Sequence, residues 1–367
     1  MEENQATMQL DPEAQLQEVI NGKSRLHIGL LGNYPDTEET RILLTPEACG
    51  LLTSAGMHVC MEEGAGIDID FSDETYAEYG VKITDRKTAL EQDVVLSFDP
   101  LKPEDVKKMK DGATLLCMMA DSLFNKGVIE TKLEKKITLC CLSKTLSFNG
   151  EPVFANIIDE IDGRGAVLYA QEHLSYLGGG KGVLLSGVAG VSPCEMVLIG
   201  DGREIIAAAH SAITQGALVT LLNNDISSLQ QARILLGGHL QTLAIHPKVL
   251  FNKIKSADVI IMGNTTRPFE MPKNLSMAMK PNAYVLDLRE VHPSVSVPRT
   301  VAMAVSNVMV NMLNDMALLE GMDRLIAATE GVQNGIMTYR GQLVDKLAAS
   351  YLGMPYVDLG VMIAHTN

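Results

Sequence analysis

Residues 196–225 carry the pattern with the most chemical content. The apolar run Met196-Val197-Leu198-Ile199 leads into Gly200-Asp201-Gly202-Arg203-Glu204-Ile205. An alanine-rich helical stretch follows from Ile206 to Ile213, and a second apolar run, Leu218 to Leu222, ends at Asn223. Strand, tight turn, helix, strand is the order that sets a diphosphate against the N–H groups of a helix N-terminus. A complete dinucleotide fingerprint has glycine at three positions of the turn and an acid after the second strand. Here Ile205 stands at the third glycine position and Asn223 at the acid. Gly200, Gly202, Arg203 and Asn223 are the candidate cofactor-binding residues. Asn223 could hydrogen-bond a ribose hydroxyl without the charge-assisted strength of a carboxylate. Asp201 and Glu204 suit a helix N-terminus by its dipole but would repel a diphosphate, and Arg203 offsets that only in part. In the glycine loop Gly178–Gly182, Lys181 reads either as structural or as phosphate-proximal; His210, on the helix after the turn, reads as a packed histidine.

The elements that must position these groups alternate. Helical patterns are expected at Glu13–Ile20, from Pro46 to about Ser54, at Pro103–Met109, Asp159–Leu177 and Val301–Leu319. Strands are expected at Leu26–Leu31, Val59–Glu62, Val94–Phe98, Ala113–Met118 and Ile137–Leu142, then at Met196–Ile199, Leu218–Leu222, Ala257–Met262 and Tyr284–Leu288, with a strand end at Leu43-Leu44. Such alternation implies parallel sheets. Pro46 after Thr45 is a helix-start signal. The tail, Asn334–Leu352, reads as a polar helix that returns to the first domain.

A chain of 367 residues has room for two domains with their own cores. A hydrophobic fraction of 46% with 20% charged residues is that of a soluble globular protein. The net charge of −15 argues against nucleic acid or an anionic membrane surface as partner. No run is expected to span a membrane, since the most apolar region, Gly182–Gly200, contains Pro193 and Glu195. Met1–Asp11 lacks a basic start and an apolar core, so no secretory signal is expected. The six cysteines show no paired metal spacing and read as buried, reduced thiols of a cytoplasmic protein. No metal is expected. The 20 methionines read as core filler.

Several further pieces fall in a consistent order: Arg41-Ile42-Leu43-Leu44-Thr45-Pro46; Gly64-Ala65-Gly66 with Phe71-Ser72-Asp73-Glu74; Asp159-Glu160-Ile161 with Gly163-Arg164; Gly179 to Leu185; Gly187 to Val191; Pro298-Arg299-Thr300; and Thr338-Tyr339-Arg340-Gly341. Together with Val197–Gly202 they span nearly the whole chain. In them the sequence resembles the alanine dehydrogenase / pyridine nucleotide transhydrogenase N-terminal family. The resemblance implies an α/β protein of two doubly wound Rossmann-like domains with a cleft between them. The substrate-type domain would comprise residues 1–150 and 308–367, the dinucleotide-binding domain residues 151–307. It also implies hydride transfer between NAD or NADP and an amino or oxo acid, and a homo-oligomer.

The family's site residues carry over only in part. Arg41 stands at the carboxylate-binding arginine, whose planar fork suits a small carboxylate or amino acid. The family's lysine belongs after Val94-Val95-Leu96, where this chain has Ser97-Phe98-Asp99-Pro100 and no lysine until Lys102. Its histidine belongs at the end of the next strand, where this chain reads Cys117-Met118-Met119-Ala120. Its acid belongs shortly after Asp287, where Glu290 and His292 are the candidates for a replacement acid/base pair. The resemblance therefore implies either a catalytically degenerate homologue that keeps fold and ligand binding, or an active oxidoreductase with relocated acid/base residues. A protein using the fold only for assembly is a third class.

Overall fold

The computed structural model describes residues 26–34, 39–118, 125–266 and 269–364. The expected helix at Glu13–Ile20 lies outside the described residues, as do Met119 and Ala120. The chain divides into two compact units, one running to Phe154 and resuming at Ala302, the other Ala155–Val301.

The first unit opens with β1 (His27–Leu30), β2 (His58–Glu62), β3 (Lys82–Thr84), β4 (Val94–Ser97), β5 (Thr114–Cys117) and β6 (Thr138–Cys141). The second holds β7 (Glu195–Ile199), β8 (Leu218–Asn223), β9 (Leu240–Ala244), β10 (Val259–Met262) and β11 (Tyr284–Asp287). The chain then returns to the first unit with β12 (Ile336–Tyr339) and β13 (Gln342–Leu343). The first sheet runs β13-β12-β6-β5-β4-β1-β2-β3, and the second runs β11-β10-β7-β8-β9. All pairings of the second sheet are parallel. The protein is thus mixed α/β with parallel sheets in two domains.

In the second unit, alternate strand residues feed two separate cores. Met196, Leu198, Val219, Leu221, Val259 and Ile261 pack in one cluster. Val197, Ile199, Leu222, Ile260 and Met262 pack in another. Side chains of a strand alternate between faces, so a parallel sheet covered on both sides needs continuous apolar runs. That is why those strands stand out in the sequence. β3 and β9 were not expected: both are edge strands, and polar side chains interrupt their apolar character.

Two other expectations are corrected. Leu43 and Leu44 are buried but belong to no strand. Ser306 meets their polar backbone instead: its Oγ accepts from Thr45 N–H at 3.0 Å and lies 3.3 Å from Leu43 O, while its proton goes to Ala302 O at 2.5 Å in its own helix. The helix Pro46–Ser54 that follows is capped by Thr45 Oγ1, which accepts from Ala48 N–H at 3.3 Å. The tail is a hairpin before it is a helix. β12 is fully buried and pairs antiparallel with β6, β13 pairs antiparallel with β12, and only Lys346–Leu352 is helical. Arg340 and Gly341 take φ of 47° and 79°, the left-handed pair that a two-residue hairpin turn requires.

One helix, Pro298–Leu318, is long and apolar enough to cross a membrane by length and composition, contrary to the sequence expectation. Its Val301, Val305, Met309, Leu313 and Met316 are buried within the fold at helical spacing.

Candidate functional site

Open α/β sheets bind ligands at the carboxyl ends of their strands, where the strand order reverses. The first sheet reverses between β1 and β4, the second between β7 and β10.

At the first reversal Tyr34 follows β1, and Ser97 and Phe98 end β4. The Tyr34 hydroxyl accepts the Phe98 N–H at 2.7 Å, donates to Leu31 O at 3.2 Å and lies 3.4 Å from the Ser97 hydroxyl oxygen. Ser97 Oγ also bonds the Asp99 carbonyl. Burial drives the Tyr34 phenol far above its ordinary pKa. Arg41 is 3% exposed, its guanidinium 4.1 Å above the Phe98 ring centroid. Its Nε and Nη2 meet the Glu39 carboxylate at 2.7 and 2.6 Å, and Glu39 also accepts the Arg41 backbone N–H at 2.9 Å. The bidentate edge expected to hold a ligand carboxylate thus already holds one from the chain itself. Nothing in the residue types of Glu39 and Arg41 signals this pairing, because an acid two positions from an arginine is commonplace until the fold buries both.

At the end of β5, Cys117 and Met118 are fully buried. Cys117 Sγ lies 3.6 Å from Phe98 O, and Met118 N–H donates to Ser97 O at 3.3 Å. Lys102 is exposed. The lysine that does enter this region comes from the helix Lys126–Glu134. Lys132 is fully buried, with its Nζ 3.4 Å from Leu101 O. Burial pulls its pKa down to about 8, with the nearby Cys117 acting weakly the other way. At the end of β2, Glu62 is buried under an ion pair with Arg86 at 2.8 Å, and Arg86 also holds Asp105 at 2.8 Å. This network ties β2 to the loop after β1, whose Asn33 carbonyl accepts Arg86 Nη1 at 2.9 Å.

At the second reversal the glycine turn follows β7. The loop after β10 lies directly against it: the N–H groups of Asp201 and Gly202 donate to Asn264 O at 2.9 and 3.2 Å. In return, Thr266 N–H donates to the Asp201 carboxylate at 2.9 Å, and Asn264 N–H to Glu204 Oε1 at 2.6 Å. Glu204 is 3% exposed, and its carboxylate fills the space a side chain at Gly202 or Gly263 would need. Ile205, at the third position of the glycine turn, packs against Gly200 and Gly263. A diphosphate needs the turn's N–H groups as donors and room beside them. Here those donors are bonded to Asn264, and two carboxylates stand in the space. The residues present do not fit the diphosphate of a dinucleotide.

Arg203 is exposed at the start of the helix Arg203–Thr214. Asn223 ends β8; its Oδ1 accepts Asp225 N–H at 2.7 Å, while its Nδ2 is buried without a hydrogen-bond partner. Lys181 is structural. It pairs at 3.4 Å with Asp258, which accepts Glu195 N–H at the start of β7, the sheet end opposite the glycine turn. The Gly178–Gly182 loop closes the end of the helix Val153–Leu174: Gly180 N–H donates to Ser175 O at 2.8 Å, and Gly182 N–H to Leu174 O at 3.0 Å. His210 is exposed rather than packed, because its helix buries Glu204, Ile205, Ala208, Ala209 and Ala212 instead.

Glu290 and His292 do not form a pair. Glu290 is exposed, and His292 Nδ1 instead meets Asp162 Oδ2 at 3.2 Å. Asp162 is buried and also accepts Ser294 N–H at 2.7 Å. Pro293 packs on Gly165, which explains why the chain turns His292 onto the helix carrying Asp162. On that helix Asp159 is pushed up to about 6, by burial first and then by the charges of Glu204 and Asp162, against the opposing influence of Arg203 and His292. Because its folded-state pKa is raised, the penalty on its charged form is full above pH 6 and vanishes below its ordinary value of 3.8. Asp159→Asn is therefore expected to stabilise the protein at pH 7.5, by about 1–2 kcal/mol for a partly screened site, and to leave it unchanged near pH 4. Thermal unfolding of both proteins across that range checks this. Neither Asp159 nor Asp162 stood out in the sequence, because one acid on a helix looks like any other until the fold gathers several.

A family model described as alanine dehydrogenase/PNT, N-terminal domain, matches residues 35–147, and the corresponding C-terminal domain model matches residues 166–288. The alanine dehydrogenase of Mycolicibacterium smegmatis is 26% identical over 362 residues, covering 89% of this chain and 97% of that protein. That of Bacillus subtilis is 26% identical, covering 87% and 93%. Among solved structures, an L-alanine dehydrogenase superposes with a TM-score of 0.78 at 21% identity, over 89% of this chain and 99% of the other. A transhydrogenase from Sinorhizobium meliloti gives 0.72 at 16% identity, over 87% and 100%. These likenesses carry the fold, and the two domain matches together cover most of the chain. It belongs to the alanine dehydrogenase/PNT family.

Proposed function

We propose that this chain is a catalytically degenerate member of its family, one that keeps the alanine dehydrogenase-like fold and binds a small carboxylate or amino acid without dehydrogenating it. The observation that carries this reading is the pair of strand ends at the first reversal. The resemblance places a lysine after β4 and a histidine after β5. The described residues there are Ser97-Phe98-Asp99 and Cys117-Met118, of which Ser97, Phe98, Cys117 and Met118 are buried and packed on one another. Serine, methionine and a phenol pushed far above its ordinary pKa do not exchange protons near neutrality. NAD or NADP, the cofactor implied by the resemblance, is a weak ligand in this reading, since the glycine turn is closed on itself.

General acid–base groups contribute about 10²–10⁴-fold each, so the loss of two lowers turnover by about 10⁴-fold or more. Reductive amination of pyruvate with NADH and ammonia, followed at 340 nm (roughly the NADH band), is expected to show no rate above background. A turnover of the order of one per second, within the usual enzyme range, would overturn the reading.

The active-oxidoreductase alternative is favoured by one observation, the Asp159 carboxyl held near pH 6 beside His292. If the assay does show turnover, Asp159 rather than Glu290 is the residue that reading assigns to acid–base work, and a rate profile breaking near pH 6 and lost in Asp159→Asn would identify it.

A further inference from the structure

We infer that Glu204 is a built-in anion occupying the diphosphate position of the second unit, and that the neighbouring cavity beside Asn223 takes an uncharged, hydroxyl-bearing ligand in preference to any phosphate-bearing one. The inference deepens the proposed function, resting on it only for the absence of turnover.

Three independent observations meet at the β7–β10 reversal. The first is geometric. Glu204 is the second residue of a 12-residue helix, yet its carboxylate turns back over the helix start instead of pointing to solvent. It accepts Asn264 N–H at 2.6 Å and lies against both Gly202 and Gly263, at positions where a side chain on either glycine would clash. A helix N-terminus attracts a negative group by its dipole and its unpaired N–H groups. Glu204 satisfies that attraction from within the chain.

The second is the use of donors. The N–H groups of Asp201 and Gly202 end on Asn264 O, and Asp201 in turn takes the N–H of Thr266. These bonds staple the loop after β10 onto the glycine turn. A diphosphate would have to break them and to approach Asp201 and Glu204 at once. An incoming phosphate meets like charge there, and like charges at close range each cost on the order of one kcal/mol or more where water is partly excluded.

The third points to the ligand that remains possible. Asn223 is 6% exposed, with its Nδ2 buried and unpartnered. Because Asp225 N–H fixes Oδ1, the orphaned atom is a donor. Asn223 lines a cavity of about 70 Å³ with Gly200, Asp201, Ile206, Leu229 and Leu235. A buried donor without a partner is costly, and an acceptor oxygen in that cavity would remove the cost once the Asn223 amide turns its Nδ2, itself inaccessible in this structure, towards it. The walls are otherwise apolar apart from Asp201, Ser228 and Gln231, so a neutral hydroxyl suits them and an anion does not.

The test is calorimetric titration of the full chain with adenosine, ADP and NADH, without substrate. Adenosine serves as the uncharged hydroxyl-bearing probe and ADP as its diphosphate. Wild type is expected to bind adenosine at least tenfold more tightly than ADP or NADH. Glu204→Gln keeps the shape and removes the charge; Glu204→Ala also opens the space. Both should strengthen ADP and NADH binding, Glu204→Ala by tenfold or more, and leave adenosine within about twofold. Asn223→Leu should abolish the adenosine isotherm, because it removes the orphaned donor. Wild-type binding of ADP or NADH more tightly than adenosine overturns the inference, as does failure of both Glu204 variants to change that ranking or an adenosine isotherm unaffected by Asn223→Leu. Pyruvate turnover would instead overturn the proposed function, so the two failures are distinguishable.

Discussion

Lys132→Met is expected to stabilise this protein at neutral pH by about 3 kcal/mol, since a pKa displaced by that much is worth about 1.4 kcal/mol per unit. Lys132 is fully buried, with Leu101 O at 3.4 Å as its hydrogen-bond partner, and burial lowers its pKa from 10.5 to about 8. The depressed value means that the fold disfavours the ammonium. Below about pH 8 the lysine is charged in both folded and unfolded chains, and the penalty is present in full. Between about 8 and 10.5 the folded chain has lost the proton and the unfolded chain has not, so the penalty shrinks as pH rises. Above 10.5 both are neutral and it is gone. Methionine keeps the unbranched stem and fills the same space without a charge. The melting temperature of Lys132→Met should exceed that of wild type by several degrees at pH 7, and the gap should close towards pH 10.5. A variant less stable than wild type at pH 7, or a gap independent of pH, would show that the ammonium is held by more than one carbonyl.

Arg41→Ala is expected to lower stability by about 3–5 kcal/mol, the usual effect of removing one partner of a buried ion pair. Arg41 and Glu39 have side chains only 3% and 7% exposed, and the substitution would remove from the buried Glu39 carboxylate the guanidinium that it meets with both oxygens. Arg41→Met combined with Glu39→Gln should lose much less, because no buried charge is left uncompensated. Arg41→Lys should not rescue the single variant, since one ammonium cannot span both oxygens as Nε and Nη2 do. The same pair governs ligand binding. A small carboxylate can take the bidentate edge of Arg41 only by displacing Glu39, so pyruvate or alanine should raise the melting temperature of Glu39→Gln more than that of wild type. Equal shifts in the two proteins would show that carboxylates bind elsewhere, and the assembly-only reading of the fold would then move forward.

The strands of both sheets were legible because buried parallel strands need unbroken apolar runs, and Val94–Ser97, Thr114–Cys117 and Val259–Met262 are such runs. The helix start at Thr45-Pro46 was legible because a cap is a local bond between residues three apart. Short edge strands were not, nor was the β12–β13 hairpin, whose polar flanks outweighed a four-residue buried core. Its pairing with β6 is a contact across some two hundred residues of chain.

Where the resemblance implies a lysine and a histidine, the residue types Ser97-Phe98 and Cys117-Met118 were plain from the sequence alone. How those residues are partnered was decided only by the fold. The sequence by itself determined the α/β alternation, the glycine turn, and the Ile205 and Asn223 that stand at its third glycine and acid positions. The tertiary structure decided that Glu204 turns into the anion position, that Asn264 takes the turn's donors, that Glu39 fills the Arg41 fork, and that His292 pairs with Asp162 instead of Glu290. The reason is physical. Propensity and periodicity act over a few residues, whereas a carboxylate's partner is whichever donor the packing brings within about 3 Å, and the Glu204–Asn264 and Asp162–His292 partners lie 60 and 130 residues apart.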